Sequence, residues 1–270
     1  MAVMCELFAY SSKKNHDITK ELKGFYARSV NQPNGWGLAE FDDVGRMCMH
    51  KYPERAIDSK LLPRLIGEGI GRKRVLAHIR YATVGSINVN NCHPFVAYDS
   101  TGREWTMIHN GTVFNGTALL KYFNLQDGET DSERLLLYLM DLIDEATRRR
   151  GHPLDRDERF DVIESMLASN ADRNKLNLFL YDGEQFYVHA NNAPAQLHYT
   201  EDTTPGDEAL MFATVPYTDA DWQPVPQTQL IAFRDGRFTR FGKNHHVAFH
   251  SDYYRIMLEP THPELDFSFL

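Results

Sequence analysis

Apolar residues recur at helical spacing in some stretches of the chain and alternate in others, and this pattern alone predicts helices set between strands. Over Asp17–Arg28, Ile18, Leu22, Phe25 and Tyr26 share one face, and Asp17 stands where a cap belongs. Ser59–Glu68 predicts a second helix through Leu61, Leu62, Leu65 and Ile66, with Pro63 tolerated near its first turn. The clearest stripe is Leu135, Leu136, Leu139, Met140, Leu142 and Ile143 within Ser132–Arg150. Thr130 and Glu133 have the spacing of a capping box, Arg148–Arg150 suit the negative end of the helix dipole, and Gly151 and Pro153 stop it. A further helix is expected over Phe160–Asn170, presenting Phe160, Ile163, Met166 and Leu167.

Strands are predicted at Met4–Tyr10, Trp36–Phe41, Val75–Tyr81 and Trp105–His109. From Leu176 onward the pattern turns to strands and turns. Leu176–Tyr181 and Gln185–Ala190 flank Asp182-Gly183 as a hairpin, and Ala209–Thr214, Gln229–Phe233 and Phe238–Phe241 continue the series. Strands at both ends with helices between them predict an α+β layered domain. No shift in composition divides the chain, so one domain is expected over residues 1–270.

Composition narrows the function classes. Hydrophobic residues make up 42% and charged residues 24%, enough apolar material for a substantial core. A net charge of −8 argues against a nucleic-acid partner, which asks for a basic face. No apolar run approaches the ~20 residues of a membrane span, and the N-terminus lacks the features of a secretory signal. Three scattered cysteines suit neither a disulfide framework nor a zinc site. A cytoplasmic enzyme is expected.

Four stretches could carry chemistry, and each has a plainer account. Cys5, opening a strand near the start, could be a nucleophile whose own α-amine, with a pKa of ~8, serves as base; alone it reads as a small buried residue. Arg80, ending an apolar strand before Thr83 and Gly85, could present its planar fork to a carboxylate, or form a surface ion pair. Asn110-Gly111 can aim a side-chain amide and a main-chain N–H at one point, as an oxyanion hole requires, or simply turn a hairpin. Asp131 at a helix start could hold an ammonium, or compensate the dipole.

Taken in order, Cys5–Phe8, His78–Gly85, His109–Gly111 and Glu129–Glu133 resemble the class II glutamine amidotransferases, members of the N-terminal nucleophile hydrolases. Asn34–Gly37 and His93–Phe95 are similar to a stand-alone amidotransferase-like subgroup, as are the Asp182-Gly183 hairpin and Ala213–Pro216. The resemblance implies a four-layer αββα sandwich, no cofactor, and glutamine or another γ-glutamyl amide as substrate. It implies Cys5 as nucleophile, Asn110 and Gly111 as oxyanion hole, Arg80 and Thr83 on the α-carboxylate, and Asp131 on the α-ammonium. Tyr81 and His93 are candidates for shaping the pocket. Cys92 is the next best thiol but has no base, Cys48 reads as core, and His245, His246 and His250 read as packed or solvated histidines rather than metal ligands.

The family's nucleophile is the first residue after processing, whereas Met1–Met4 precede Cys5 here. Met1–Val3 are therefore expected to be a start-site extension, with Cys5 exposed by removal of Met4. The resemblance leaves three readings: a hydrolase of γ-glutamyl amides, a glutaminase subunit delivering ammonia to a separate synthase, or a non-catalytic glutamyl-binding module with a blocked Cys5.

Overall fold

The computed structural model describes residues 4–67 and 70–258. In chain order, β1 (Glu6–Asp17), α1 (Thr19–Ala27), β2 (Trp36–Phe41), β3 (Met47–Tyr52), the one-turn α2 (Leu62–Leu65) and β4 (Gly71–Ile79) come first. β5 (Phe95–Tyr98) and β6 (Glu104–Asn110) lead into the long helices α3 (Asp131–Arg150) and α4 (Arg156–Asn170). There follow β7 (Asn177–Tyr181), β8 (Phe186–Ala190), β9 (Asn192–Ala193), β10 (His198–Asp202), β11 (Ala209–Ala213) and β12 (Gln223–Pro224). β13 (Gln229–Arg234), β14 (Arg237–Phe241), β15 (Phe249–His250) and α5 (Asp252–Leu258) complete the described chain.

The strands build two large sheets, one ordered β12-β10-β11-β1-β4-β2-β3 and the other β14-β13-β8-β7-β6-β5. Side chains alternate faces along a strand, so β1 serves two cores at once. Its Leu7 and Ala9 point between the sheets, where they join Leu76 of β4 and Ile108, Phe179 and Val188 of the other sheet. Its Phe8 and Tyr10 point outward to Leu22, Phe25 and Tyr26 on α1. The second sheet repeats the arrangement: Met107, Leu178 and Leu180 face away from the first sheet onto Leu135, Leu139 and Ile143 of α3 and Phe160 and Ile163 of α4. Three apolar interfaces between four layers make the expected αββα sandwich. Among the described residues no helix is long and apolar enough to cross a membrane.

Several local expectations change. The helix expected from Ser59 contracts to α2, because Ser59 is extended (ψ 129°) and the Arg72 guanidinium takes the Leu65 carbonyl at 2.6 Å, where a further helical turn would use it. Positions 68–69 of that expected helix lie outside the described residues. Asp17 belongs to β1 and reaches forward to the Thr19 N–H at 2.9 Å, with Ile18 at the cap position. Only half of the capping box at α3 forms. Thr130 accepts from the Glu133 N–H, but the Glu133 carboxylate turns back to the N–H groups of Asp127 and Gly128. The complete box sits instead at α4, between Asp155 and Glu158. Asn110-Gly111 does not turn a hairpin, since β6 pairs with β5 and β7. Cys48 is exposed rather than core, because β3 is the outermost strand of its sheet.

Candidate functional site

Cys5 precedes β1 and lies against the loop that leaves the neighbouring strand β4. Its thiol lies 3.2 Å from both the N–H and the carbonyl of Tyr81, accepting from the first and donating to the second. Tyr81 therefore meets the thiol through its main chain. Burial pushes the Cys5 thiol pKa up; the Tyr81 N–H and the charges of Arg80 and Lys175 pull against this, while Asp131 adds to it. A thiol held in its neutral form needs a base to become a nucleophile.

The loop around the thiol is set by two interlocking segments. Asn34 and Gly35 grip it from below: the Arg80 N–H donates to Gly35 O at 2.8 Å, and the Ala82 N–H to Asn34 Oδ1 at 3.0 Å. Gly35 has φ +151°, and a Cβ there would lie 2.6 Å from Cys92 Sγ. At Gly37 a Cβ would lie 1.9 Å from the His93 carbonyl oxygen. Asn34–Gly37 and Cys92–Pro94 thus need one another, which is why the two short motifs occur together. Buried Cys92 donates to Asn88 O at 3.4 Å, and burial raises its pKa to about 11. His93 lies tilted against His78 with ring centroids 4.1 Å apart and meets Phe95 edge-on. Burial holds its pKa well below the ordinary histidine value, so the ring packs as a neutral group.

Arg80 is buried, and carbonyls of its own loop and of Asn34 surround it. Nη1 donates to Ser86 O and Asn34 O, and Nη2 to Val84 O and Gly85 O, over 3.0–3.4 Å. That loop is tied further by Glu129, whose carboxylate accepts from the Ser86 N–H, the Ser86 hydroxyl and Asn91 Nδ2. These bonds draw the Glu129 pKa down to about 2. Thr83 lies half-buried on the same loop. The fork is where the sequence puts it, but it meets carbonyl dipoles, a neutral shell that leaves its charge in place.

On the second sheet, Asn110 ends β6 and its Nδ2 donates to Cys5 O at 2.6 Å. Beside it, a Cβ on Gly111 would lie 1.9 Å from the Lys175 carbonyl oxygen, so only glycine fits. Asp131 opens α3 and is buried; its carboxylate accepts from the Val113 N–H at 2.6 Å and the Ser132 N–H at 3.0 Å. A carboxylate retains further lone pairs beyond two such bonds. The fold therefore gathers a thiol, an amide donor, a guanidinium and a carboxylate from four separate stretches of chain.

The sequence reading missed two groups here. Lys175, fully buried just before β7, places Nζ 2.8 Å from Gln196 Oε1 and 3.5 Å from Asn110 Oδ1. Burial lowers its pKa to about 7, with Cys5 acting in the opposite sense. On the other side, buried Glu6 pairs with Arg28 at 2.6 Å, and Gln32 Nε2 bridges Glu6 and the Met4 carbonyl at 3.2 Å each. A charged residue inside the apolar run Lys175–Tyr181 was the available signal for the first. Elsewhere, His245 lies 3.0 Å from buried His189, and among the described residues no cluster of His, Cys, Asp or Glu could hold a metal.

Two stacked antiparallel sheets lie between helical layers, with a thiol just before a central strand. The family model for class II glutamine amidotransferases matches residues 4–205, and the chain belongs to that family. Among its relatives is an uncharacterized protein of Methanocaldococcus jannaschii, 28% identical over 257 residues, covering 86% of this chain and 70% of the relative. Two solved structures share the fold. One is a predicted glutamine amidotransferase from Pseudomonas aeruginosa, with TM-score 0.58 and 20% identity, matched over 87% of this chain and 100% of the other. The other is the glutamine phosphoribosylpyrophosphate amidotransferase of B. subtilis, with TM-score 0.64 and 16% identity, matched over 91% of this chain but 50% of the other.

Proposed function

We propose that the chain cleaves the γ-amide bond of glutamine or of another γ-glutamyl compound through a thioester on Cys5. The observation that carries this reading is the convergence on one thiol of the Asn110 amide and of the Arg80 and Asp131 charges. A glutamyl group presents one carboxylate, one ammonium and one amide carbonyl, which these groups complement. Arg80 binds the α-carboxylate, which takes the place of some of the loop carbonyls now on the fork, and Thr83 lies beside it. Asp131 binds the α-ammonium. Once Met4 is removed, the Cys5 α-amine accepts the thiol proton and the thiolate attacks the γ-carbonyl carbon. Negative charge on the carbonyl oxygen is met by Asn110 Nδ2 and the Gly111 N–H. The C–N bond then breaks as the α-ammonium returns the proton to the departing amine, and water hydrolyses the thioester to glutamate and free thiol.

The test compares protein whose chain starts at Met4, and is processed to Cys5, with protein that retains Met1. Glutamine and a panel of γ-glutamyl peptides are the substrates. The processed form is expected to turn over, and Cys5→Ala to reduce turnover by at least about 10⁴-fold, as loss of a covalent nucleophile does. Full activity in protein that retains Met1 would overturn the amine-base role. Absence of turnover with every substrate, while glutamate still binds, would favour the binding module. A second reading, ammonia delivery to a separate synthase, draws support from the B. subtilis enzyme, half of whose chain lies outside the match. It predicts weak glutaminase activity that a partner stimulates.

A further inference from the structure

We infer that Lys175 is a positioning residue for amide cleavage, fixing the Asn110 carboxamide with its NH₂ toward Cys5, and that Gln196 seats the lysine. The inference rests on the proposed function and adds to it two residues from beyond the recognised motifs.

An asparagine side chain can sit in one site in either of two orientations. Its oxygen and nitrogen have the same shape, and only the second can stabilise an oxyanion. The neighbours therefore decide the chemistry. One side of the Asn110 amide faces Cys5 O, an acceptor, at 2.6 Å. The other faces Lys175 Nζ, at 3.5 Å. In its ammonium form, which burial confines to pH values below about 7, Lys175 has three donors and no acceptor. Turning the amide over would set NH₂ against ammonium and carbonyl against carbonyl, two repulsive contacts at once. Lys175 thus leaves one orientation, the one in which Nδ2 points at the nucleophile's residue.

The lysine is itself held. Gln196 Oε1 accepts from Nζ at 2.8 Å, shorter than the 3.5 Å contacts with Asn110 Oδ1 and with Met4 Sδ, the second of which is lost when Met4 is removed. The Lys175 main chain is built into the same corner: its carbonyl oxygen lies against Gly111 and 2.9 Å from His109 Nε2, and its N–H donates to Thr112 O at 3.1 Å. The backbone fixes where the side chain starts, and Gln196 fixes where it ends. A fully buried lysine is rare because removing an ammonium from water is costly. Its place behind the Asn110 amide that faces Cys5 O supplies a reason for keeping it.

The experiment is a double-mutant cycle on the processed protein with glutamine as substrate. Lys175→Met keeps the unbranched reach and removes the charge. It is expected to lower kcat by roughly 10- to 100-fold, a fraction of the loss from deleting the donor itself, with KM and the glutamate Kd within about threefold. In an Asn110→Ala background the same change is expected to cost about twofold or less, because there is no amide left to orient. An equal loss in both backgrounds, an unchanged kcat, or a loss carried by KM overturns the inference. Should Lys175→Met fail to fold, Gln196→Leu leaves the lysine but removes its seat. It is expected to lower kcat by about three- to tenfold with Asn110 present and not without it. Loss in both backgrounds, or in neither, overturns the inference equally. An unsubstituted processed protein that turns over no glutamyl substrate brings down the proposed function and this inference together. Turnover that ignores Lys175 brings down the inference alone.

Discussion

Each end of β7 holds a buried cation, and the two are held in opposite ways. Beyond the far end, Asp182 accepts from Arg159 Nε at 2.7 Å and from the Tyr187 hydroxyl at 2.7 Å, while Arg159 Nη2 reaches Glu184 at 2.7 Å. Carboxylates more than offset burial there, so the Arg159 pKa rises. Before the near end, Lys175 meets the amide oxygens of Gln196 and Asn110, and burial pulls its pKa down to about 7. Arg80, across the thiol, likewise meets carbonyls. A cation closed by carboxylates ties α4 to the β7–β8 turn. A cation met by neutral dipoles keeps its field for another group, and both of these lie at Cys5.

That contrast is broken most directly at the far end. Asp182→Ala leaves a buried guanidinium short of its main counter-charge and is expected to destabilise the fold by about 3–5 kcal/mol. The midpoint of urea unfolding measures it. Turnover per folded molecule should hardly change. A loss below about 1 kcal/mol would mean that the pair is not what fastens this end. At the near end, Arg80→Lys keeps the charge but loses the planar fork. It is expected to raise the KM for glutamine by roughly 10- to 100-fold and to lower stability by about 1–3 kcal/mol through the loop carbonyls it leaves unmet. A KM within twofold of the unsubstituted protein would remove Arg80 from substrate binding.

The same contrast accounts for what could be read from the chain beforehand. β1 and the α3 stripe were legible because burial on a strand or helix face leaves a period in the sequence, and Leu7, Phe8, Leu135 and Leu139 carry it. Cys5, Arg80, Asn110 and Asp131 could be picked out because each sits at an element end within a recognisable run. Lys175 and Gln196 could not. They are 21 residues apart, they meet through their side-chain tips, and neither belongs to a periodic pattern. The strands β3 and β10, at or next to the two edges of their sheet, were missed for a related reason: their residues are half-buried or exposed, with no clean alternation. α2 was overextended because an apolar spacing cannot reveal that Arg72, on another element, takes the Leu65 carbonyl.

The smallest expected effect concerns protons at the near end. His189 on β8 places Nδ1 2.6 Å from the Leu176 carbonyl oxygen, and burial lowers its pKa to about 4. His78, in the site-bearing strand β4, is lowered to about 3 by the same cause. An unfolded histidine titrates near 6.5. Above that value both states are neutral and the buried ring carries no penalty. As pH falls below 6.5 the unfolded chain takes up the proton and the folded chain does not. Stability is therefore lost at up to about 1.4 kcal/mol per pH unit for each ring, or about 2 kcal/mol each by pH 5. The loss continues until pH falls through the folded values. Arg159 stays charged throughout this window and contributes no slope. His189→Leu is expected to lower stability at pH 7 through its lost hydrogen bonds, yet to reduce the decline between pH 7 and pH 5 by about 2 kcal/mol in all. Urea unfolding at pH 5, 6 and 7 reads both quantities. An unchanged slope would show that His189 accepts a proton inside the fold, and that the near end of β7 tolerates charge as well as the far end does.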